Sequence, residues 1–142
     1  MEINRMGNSN RLEILVDTSV LMSVYDRVDP FELVISSLDF RPVFYIPSVV
    51  LKELQKFLSE NPAKEKRSRV ALKYLEINKN LWEIIEVEDN GLVDDILLRL
   101  CKERGYLLYT SDYRLKERAL SRGIKVIYLR QKSKNISLNI II

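Results

Sequence analysis

Short apolar runs alternate with helical stretches along almost the whole chain, and that rhythm restricts the fold more than any other feature. Leu12–Val16, Val43–Ile46, Leu81–Val87, Tyr106–Tyr109 and Lys125–Leu129 each read as a buried strand. Between them lie amphipathic segments punctuated by turn residues. Asp29-Pro30 marks a helix start, with Asp as N-cap and Pro at the first helical position. Ser48 is expected to cap a helix running to about Glu60, which Asn61-Pro62 ends. Further helices are expected at about 18–25, 63–78, 92–104 and 112–122, with Gly105 and Gly123 as stops. Strands alternating with helices imply a three-layer α/β/α domain around a mainly parallel sheet of about five strands. The domain is placed at 12–130. A polar, flexible tail over 1–11 precedes it, and a segment over 131–142, ending strongly apolar, follows, expected to dock on the domain or on a second subunit.

Composition removes most catalytic chemistries. The 142 residues include no histidine and one cysteine, Cys101, so His-based acid–base catalysis, thiolate metal sites and internal disulfides are excluded. The four glycines never cluster, so no phosphate-cradling loop exists. No apolar run approaches the roughly 18–20 residues of a membrane span, and a cytoplasmic protein without membrane contact is expected. What remains is carboxylate, hydroxyl, Lys/Arg and metal held by oxygen.

Four carboxylates stand at the ends of these elements. Asp17 closes the first strand, and Asp112 follows the fourth. In a parallel α/β sheet, sites form beyond the carboxyl ends of the strands. Either residue could also be a simple helix cap. Glu53 lies at the edge of the apolar face formed by Val50, Leu54, Phe57 and Leu58, so its charge needs a partner. Asp94 has Leu97, Leu98 and Cys101 at helical spacing and points along a buried face, whereas Asp95 has Arg99 and Lys102 and leans to solvent. Two carboxylates about 5 Å apart repel by roughly 3 kcal/mol at an effective dielectric near 20. Several converging therefore call for protonation or a cation, and Mg²⁺ or Mn²⁺ suits an all-oxygen site.

Basic residues gather at Lys64, Lys66, Arg67, Arg69 and Lys73, and again from Arg114 through Lys116 and Arg118 to Lys134, beside Asp112. With a net charge of +3, such flanks suit a nucleic-acid backbone, although a solvated helix face explains the first group equally well. Tyr113 could stack on a base or pack in the core. Trp82 and Tyr74 read as core.

The segments Val16-Asp17-Thr18-Ser19-Val20-Leu21, Ile46-Pro47-Ser48-Val49-Val50-Leu51-Lys52-Glu53-Leu54, Val93-Asp94-Asp95-Ile96-Leu97-Leu98, Tyr109-Thr110-Ser111-Asp112 and Gly123–Arg130, in this order, resemble the PIN-domain ribonucleases. The family places its third acid eleven residues before a glycine, a spacing that Asp94 and Gly105 satisfy. The resemblance implies a Mg²⁺- or Mn²⁺-dependent endoribonuclease that hydrolyses RNA phosphodiesters with metal-activated water. It assigns Asp17, Glu53, Asp94 and Asp112 to catalysis, with Asp17, Asp94 and Asp112 on the metal. Asp95, Thr110, Ser19 and Ser111 would support these acids, the two serines standing where the family often has asparagine. Arg114, Lys116, Arg118, Lys66 and Arg69 would contact RNA, expected to be single-stranded. The resemblance further implies a homodimer and, for a VapC-like toxin as opposed to an RNA-processing factor, an antitoxin partner. The alternative is a PIN-like RNA- or protein-binding module without catalysis; a receiver-type phosphoacceptor domain shares the layout but would not need Glu53.

Overall fold

The structure, a computed structural model, describes residues 11–38, 41–88 and 91–139. Strands β1 (Arg11–Val16), β2 (Arg41–Pro47), β3 (Trp82–Ile85), β4 (Leu107–Thr110), β5 (Val126–Arg130) and β6 (Asn135–Asn139) form one sheet in the order β3-β2-β1-β4-β5-β6. Every pairing is parallel except β5 with β6, which is antiparallel. Helices α1 (Thr18–Met22), α2 (Pro30–Ile35), α3 (Ser48–Phe57), α4 (Pro62–Ile77), α5 (Val93–Arg104) and α6 (Tyr113–Ser121) fill the connections. Right-handed crossovers send the helices between β1, β2 and β3 to one face, and those around β4 and β5 to the other, giving three layers. The central strands are covered on both sides, which is why Ile14, Leu15, Val16, Leu108 and Tyr109 are wholly buried and nearly uninterrupted by polar residues.

Local chemistry sets the element ends. Asp29 accepts the Glu32 amide at 3.2 Å to open α2, and Asn61 accepts the Lys64 amide at 2.9 Å to open α4. Gly105 ends α5 in the left-handed region at φ 75°, a conformation open to glycine without steric cost. The helix expected to about Tyr25 instead tightens at Met22 into a 3₁₀ turn over Ser23–Asp26, closed by Arg27 at φ 67°.

Two expectations need correction. Ser48 does not cap α3; the N-cap position is Pro47. The Ser48 hydroxyl accepts the Val87 amide at 3.0 Å and donates to the Val87 carbonyl at 3.3 Å, tying the start of α3 to the segment after β3. The sheet has six strands, because the chain turns after Arg130, with Lys134 at φ 57°, and lays β6 along β5. The expected tail over 1–11 lies outside the described residues apart from Arg11, which opens β1, and so do the last three residues of the 131–142 segment.

Candidate active site

Strand order decides where the acids go. From β1 the chain adds β2 and β3 on one side, then crosses to add β4 and β5 on the other, so the order reverses between β1 and β4. A crevice opens beyond the carboxyl ends of two strands at such a switch point. Asp17 leaves β1 there, its amide donating to the Tyr109 carbonyl of β4 at 2.9 Å, and Asp112 follows β4.

Asp17 is only 4% exposed. It holds the N-cap position of α1 but makes no side-chain cap bond, so the simple capping reading fails. Its Oδ2 instead accepts the Ser19 hydroxyl at 2.6 Å and the Thr110 hydroxyl at 2.7 Å. Among the described residues nothing donates to Oδ1. Burial pushes this carboxyl up to about 6, against the opposing pull of the two hydroxyls and with added repulsion from Asp94 and Asp112. Asp94, half-buried in the first turn of α5, is also raised, by burial first and then by Asp112, with Glu53 and Asp95 adding and Arg118 opposing.

Glu53 projects from α3, where its Oε1 accepts the Thr18 hydroxyl at 2.6 Å. Thr18 was not singled out in the sequence, and its one signal is adjacency to Asp17. Asp112 does cap its helix, Oδ1 accepting the Leu115 amide at 3.1 Å, and its own amide donates to Thr110 Oγ1 at 3.0 Å. Thr110 therefore joins two of the acids. The Ser19 hydroxyl also accepts the Ser111 amide at 3.0 Å. Ser111 differs: its hydroxyl accepts from Gln131 Nε2 at 3.3 Å and makes no hydrogen bond to the four acids among the described residues. Asp95 is exposed and pairs with Arg118 at 2.6 Å.

The profile of a family described as a PIN like domain matches residues 14–132. The chain belongs to this PIN-like family. Ribonuclease VapC9 of Archaeoglobus fulgidus is 36% identical over 133 residues, spanning 92% of this chain and 93% of the relative. The PIN domain endonuclease Utp24 superposes with a TM-score of 0.70 at 23% identity, covering 91% of this chain and 92% of that one. A domain of a functionally unknown protein from Methanocaldococcus jannaschii gives a TM-score of 0.64 at 20% identity, over 84% and 91% of the two chains. These two likenesses establish the PIN-like fold.

The donor set of this PIN-like chain fits a hard divalent cation. Asp17 offers one oxygen to which nothing donates among the described residues. Beyond burial, its carboxyl is raised by Asp94 and Asp112, and that of Asp94 by Asp112 and Glu53. Among the described residues no three acidic or cysteine side chains gather closely enough to ligate one ion as they stand. Mg²⁺ usually takes one or two carboxylates and keeps several waters, so a closed protein cage is not required.

The basic residues divide sharply. Arg69 pairs with Glu65, and Lys64, Arg67 and Lys73 pair with Glu60, Asp26 and Glu76, so α4 is largely neutralised by its own surroundings. Lys116 lies 4.6 Å from the ring centres of both Tyr113 and Tyr128 and 3.6 Å from Glu117. Lys66 and Arg114 are exposed and make no ion pair among the described residues. Tyr113 is 59% exposed, which removes its core reading. Trp82 is half-buried, with its indole donating to the Leu75 carbonyl at 2.8 Å.

Proposed function

We propose that this chain is a metal-dependent endoribonuclease acting on single-stranded RNA at the switch-point crevice. The observation that carries the proposal is Asp17: a carboxylate with one oxygen held by Ser19 and Thr110, the other without a donor among the described residues, raised by burial and by two further acids. Asp17, Asp94 and Asp112 would share a divalent cation, Mg²⁺ or Mn²⁺, one or two of them directly and the rest through its waters, with Glu53 beside them. The chemistry supplied by such a cation is polarisation of the phosphodiester and activation of the attacking water.

The chain's own residues prepare that chemistry. Ser19 and Thr110 fix one carboxylate oxygen and leave the other without a donor among the described residues. Thr18 fixes the Glu53 carboxylate at the crevice wall, where it can accept a proton from water. Tyr113 presents an open ring beside Asp112 on which a base can stack. The likeness to a VapC ribonuclease adds a protein antitoxin, a second copy of the chain and a cytoplasmic setting to the proposal. A non-catalytic RNA-binding module is the second reading, favoured by the open spacing of the acids.

Cleavage of a single-stranded RNA with Mn²⁺ separates the two. The parent chain should cut, and Asp17→Asn and Asp94→Asn should lose most activity. Equal rates in all three, or no cleavage by any, would overturn the catalytic reading.

A further inference from the structure

A groove of about 290 Å³ runs from the acidic site along α3, lined by Val49, Lys52, Glu53, Lys56 and the segment Gly91–Val93. It lies over the carboxyl ends of β2 and β3, because α3 leaves β2 and α5 opens after β3. Its occupant is indicated by three features. Lys52 and Lys56 are exposed, four residues apart, and so lie side by side on one helix face. Neither side chain makes an ion pair or hydrogen bond among the described residues, unlike most of the basic residues of α4. Leu92, 72% exposed, adds an apolar surface at the groove.

We infer that this groove seats the sugar–phosphate backbone of the RNA strand on one side of the cleaved bond, with Lys52 and Lys56 each contacting a phosphate. The inference rests on the ribonuclease reading above and extends it to a strand path. Lysine is a compact cation on a flexible stem, suited to phosphate oxygens and poor at reading bases. Glu53 lies between the two lysines in sequence and lines the same groove, so a phosphate held by them is delivered next to the acids. Tyr113 lies across the crevice beyond β4, so a strand entering at Lys56 would cross the acids before reaching that ring. The sequence showed no charge run here, because only two lysines are involved and an acid separates them.

The test is anisotropy of a labelled single-stranded RNA with the Asp17→Asn chain in Mg²⁺, repeated across a salt series. Adding Lys52→Ala and Lys56→Ala together should weaken binding about tenfold and flatten the slope of log K against log salt by about 1.4, two phosphates at about 0.7 each. Lys79→Ala, in the exposed turn between α4 and the amino end of β3, should leave both unchanged. In the otherwise native enzyme the double variant should raise KM with little change in kcat. Native Kd and slope in the double variant, or an equal loss from Lys79→Ala, would overturn the groove while leaving catalysis standing. Binding with normal lysine dependence but no cleavage by the parent would instead overturn only the catalytic reading. RNA binding absent altogether, with an acidic peptide bound through the same lysines, would reassign the groove to a protein partner and overturn the inference.

Discussion

The Thr110 hydroxyl donates to Asp17 Oδ2 at 2.7 Å across 93 positions of sequence, and Thr110 Oγ1 itself accepts the Asp112 amide at 3.0 Å. One wholly buried hydroxyl thus orients the acids at the ends of two neighbouring strands. Thr110→Val keeps the shape and removes both bonds. The variant should lose about 1.5–3 kcal/mol in denaturant unfolding, as expected for a bond to a charged group. It should also lose 10–100-fold in activity through a displaced Asp17, about the usual cost of losing a group that orients a ligand. Native activity would show that the hydroxyl does not position the site.

Asp17 makes stability depend on pH in an unusual direction for a carboxylate. Its folded value, about 6, lies above the ordinary 3.8. Between these two values the folded chain binds more protons than the unfolded one. The associated stability is therefore fully present below 3.8 and is lost as pH rises through about 6, a difference of about 3 kcal/mol. Metal-free protein should resist urea better at pH 5 than at pH 7. Asp17→Asn should be the more stable chain at pH 7 and show a flatter profile. A metal-free parent that is more stable at pH 7 than at pH 5 would contradict this.

Divalent cations should reverse that dependence. Mg²⁺ or Mn²⁺ at a hundredfold excess over its dissociation constant stabilises by about 2.7 kcal/mol. Melting curves should rise by several degrees at pH 7 and less at pH 5, where protons compete for Asp17 and Asp94. Asp17→Asn and Asp94→Asn should respond weakly. An identical shift in both variants would place the cation elsewhere.

Arg118 acts on the site at one remove. It pairs with Asp95 at 2.6 Å and holds Asp94 lower than burial and Asp112 would leave it. Arg118→Ala should barely move the melting temperature, because the pair is exposed. The acid limb of the rate–pH profile should shift to higher pH, since Asp94 then ionises later. A profile that falls uniformly at all pH values would indicate that Arg118 contacts substrate instead.

The strands were legible because a doubly covered parallel sheet needs apolar runs, and Leu12–Val16 and Tyr106–Tyr109 supply them plainly. Asp29-Pro30 was legible because a cap is local chemistry, whereas Asn61-Pro62 was read as the end of the preceding helix and Asn61 in fact caps α4. Asn135–Asn139 was expected to dock on the domain or on a second subunit, and it pairs with β5; the sequence alone did not say which edge would take it. Ser48 looked like a cap because its partner, Val87, lies 39 residues away. Among the α4 cations, Arg67 pairs across elements with Asp26, whereas Lys64, Arg69 and Lys73 pair with acids three or four residues away, as the solvated-face reading allowed. In the site, the positions of Asp17 and Asp112 followed from strand ends, whereas the hydroxyls at Thr18 and Thr110 acquired partners only through the packing of distant segments.

The placement of β1 between β2 and β4 also has a kinetic meaning. Ile14 pairs with Phe44 on one side and with Leu107 on the other, so half of its ladder waits for chain made much later. Closing so long a loop is a slow, entropically costly step. During synthesis, a chain that has emerged only through β3 already carries Asp17 and Glu53 but lacks Thr110 and Asp112. The acids therefore come together only when most of the domain is present, and any chemistry they perform is withheld from the nascent fragment beside the ribosome.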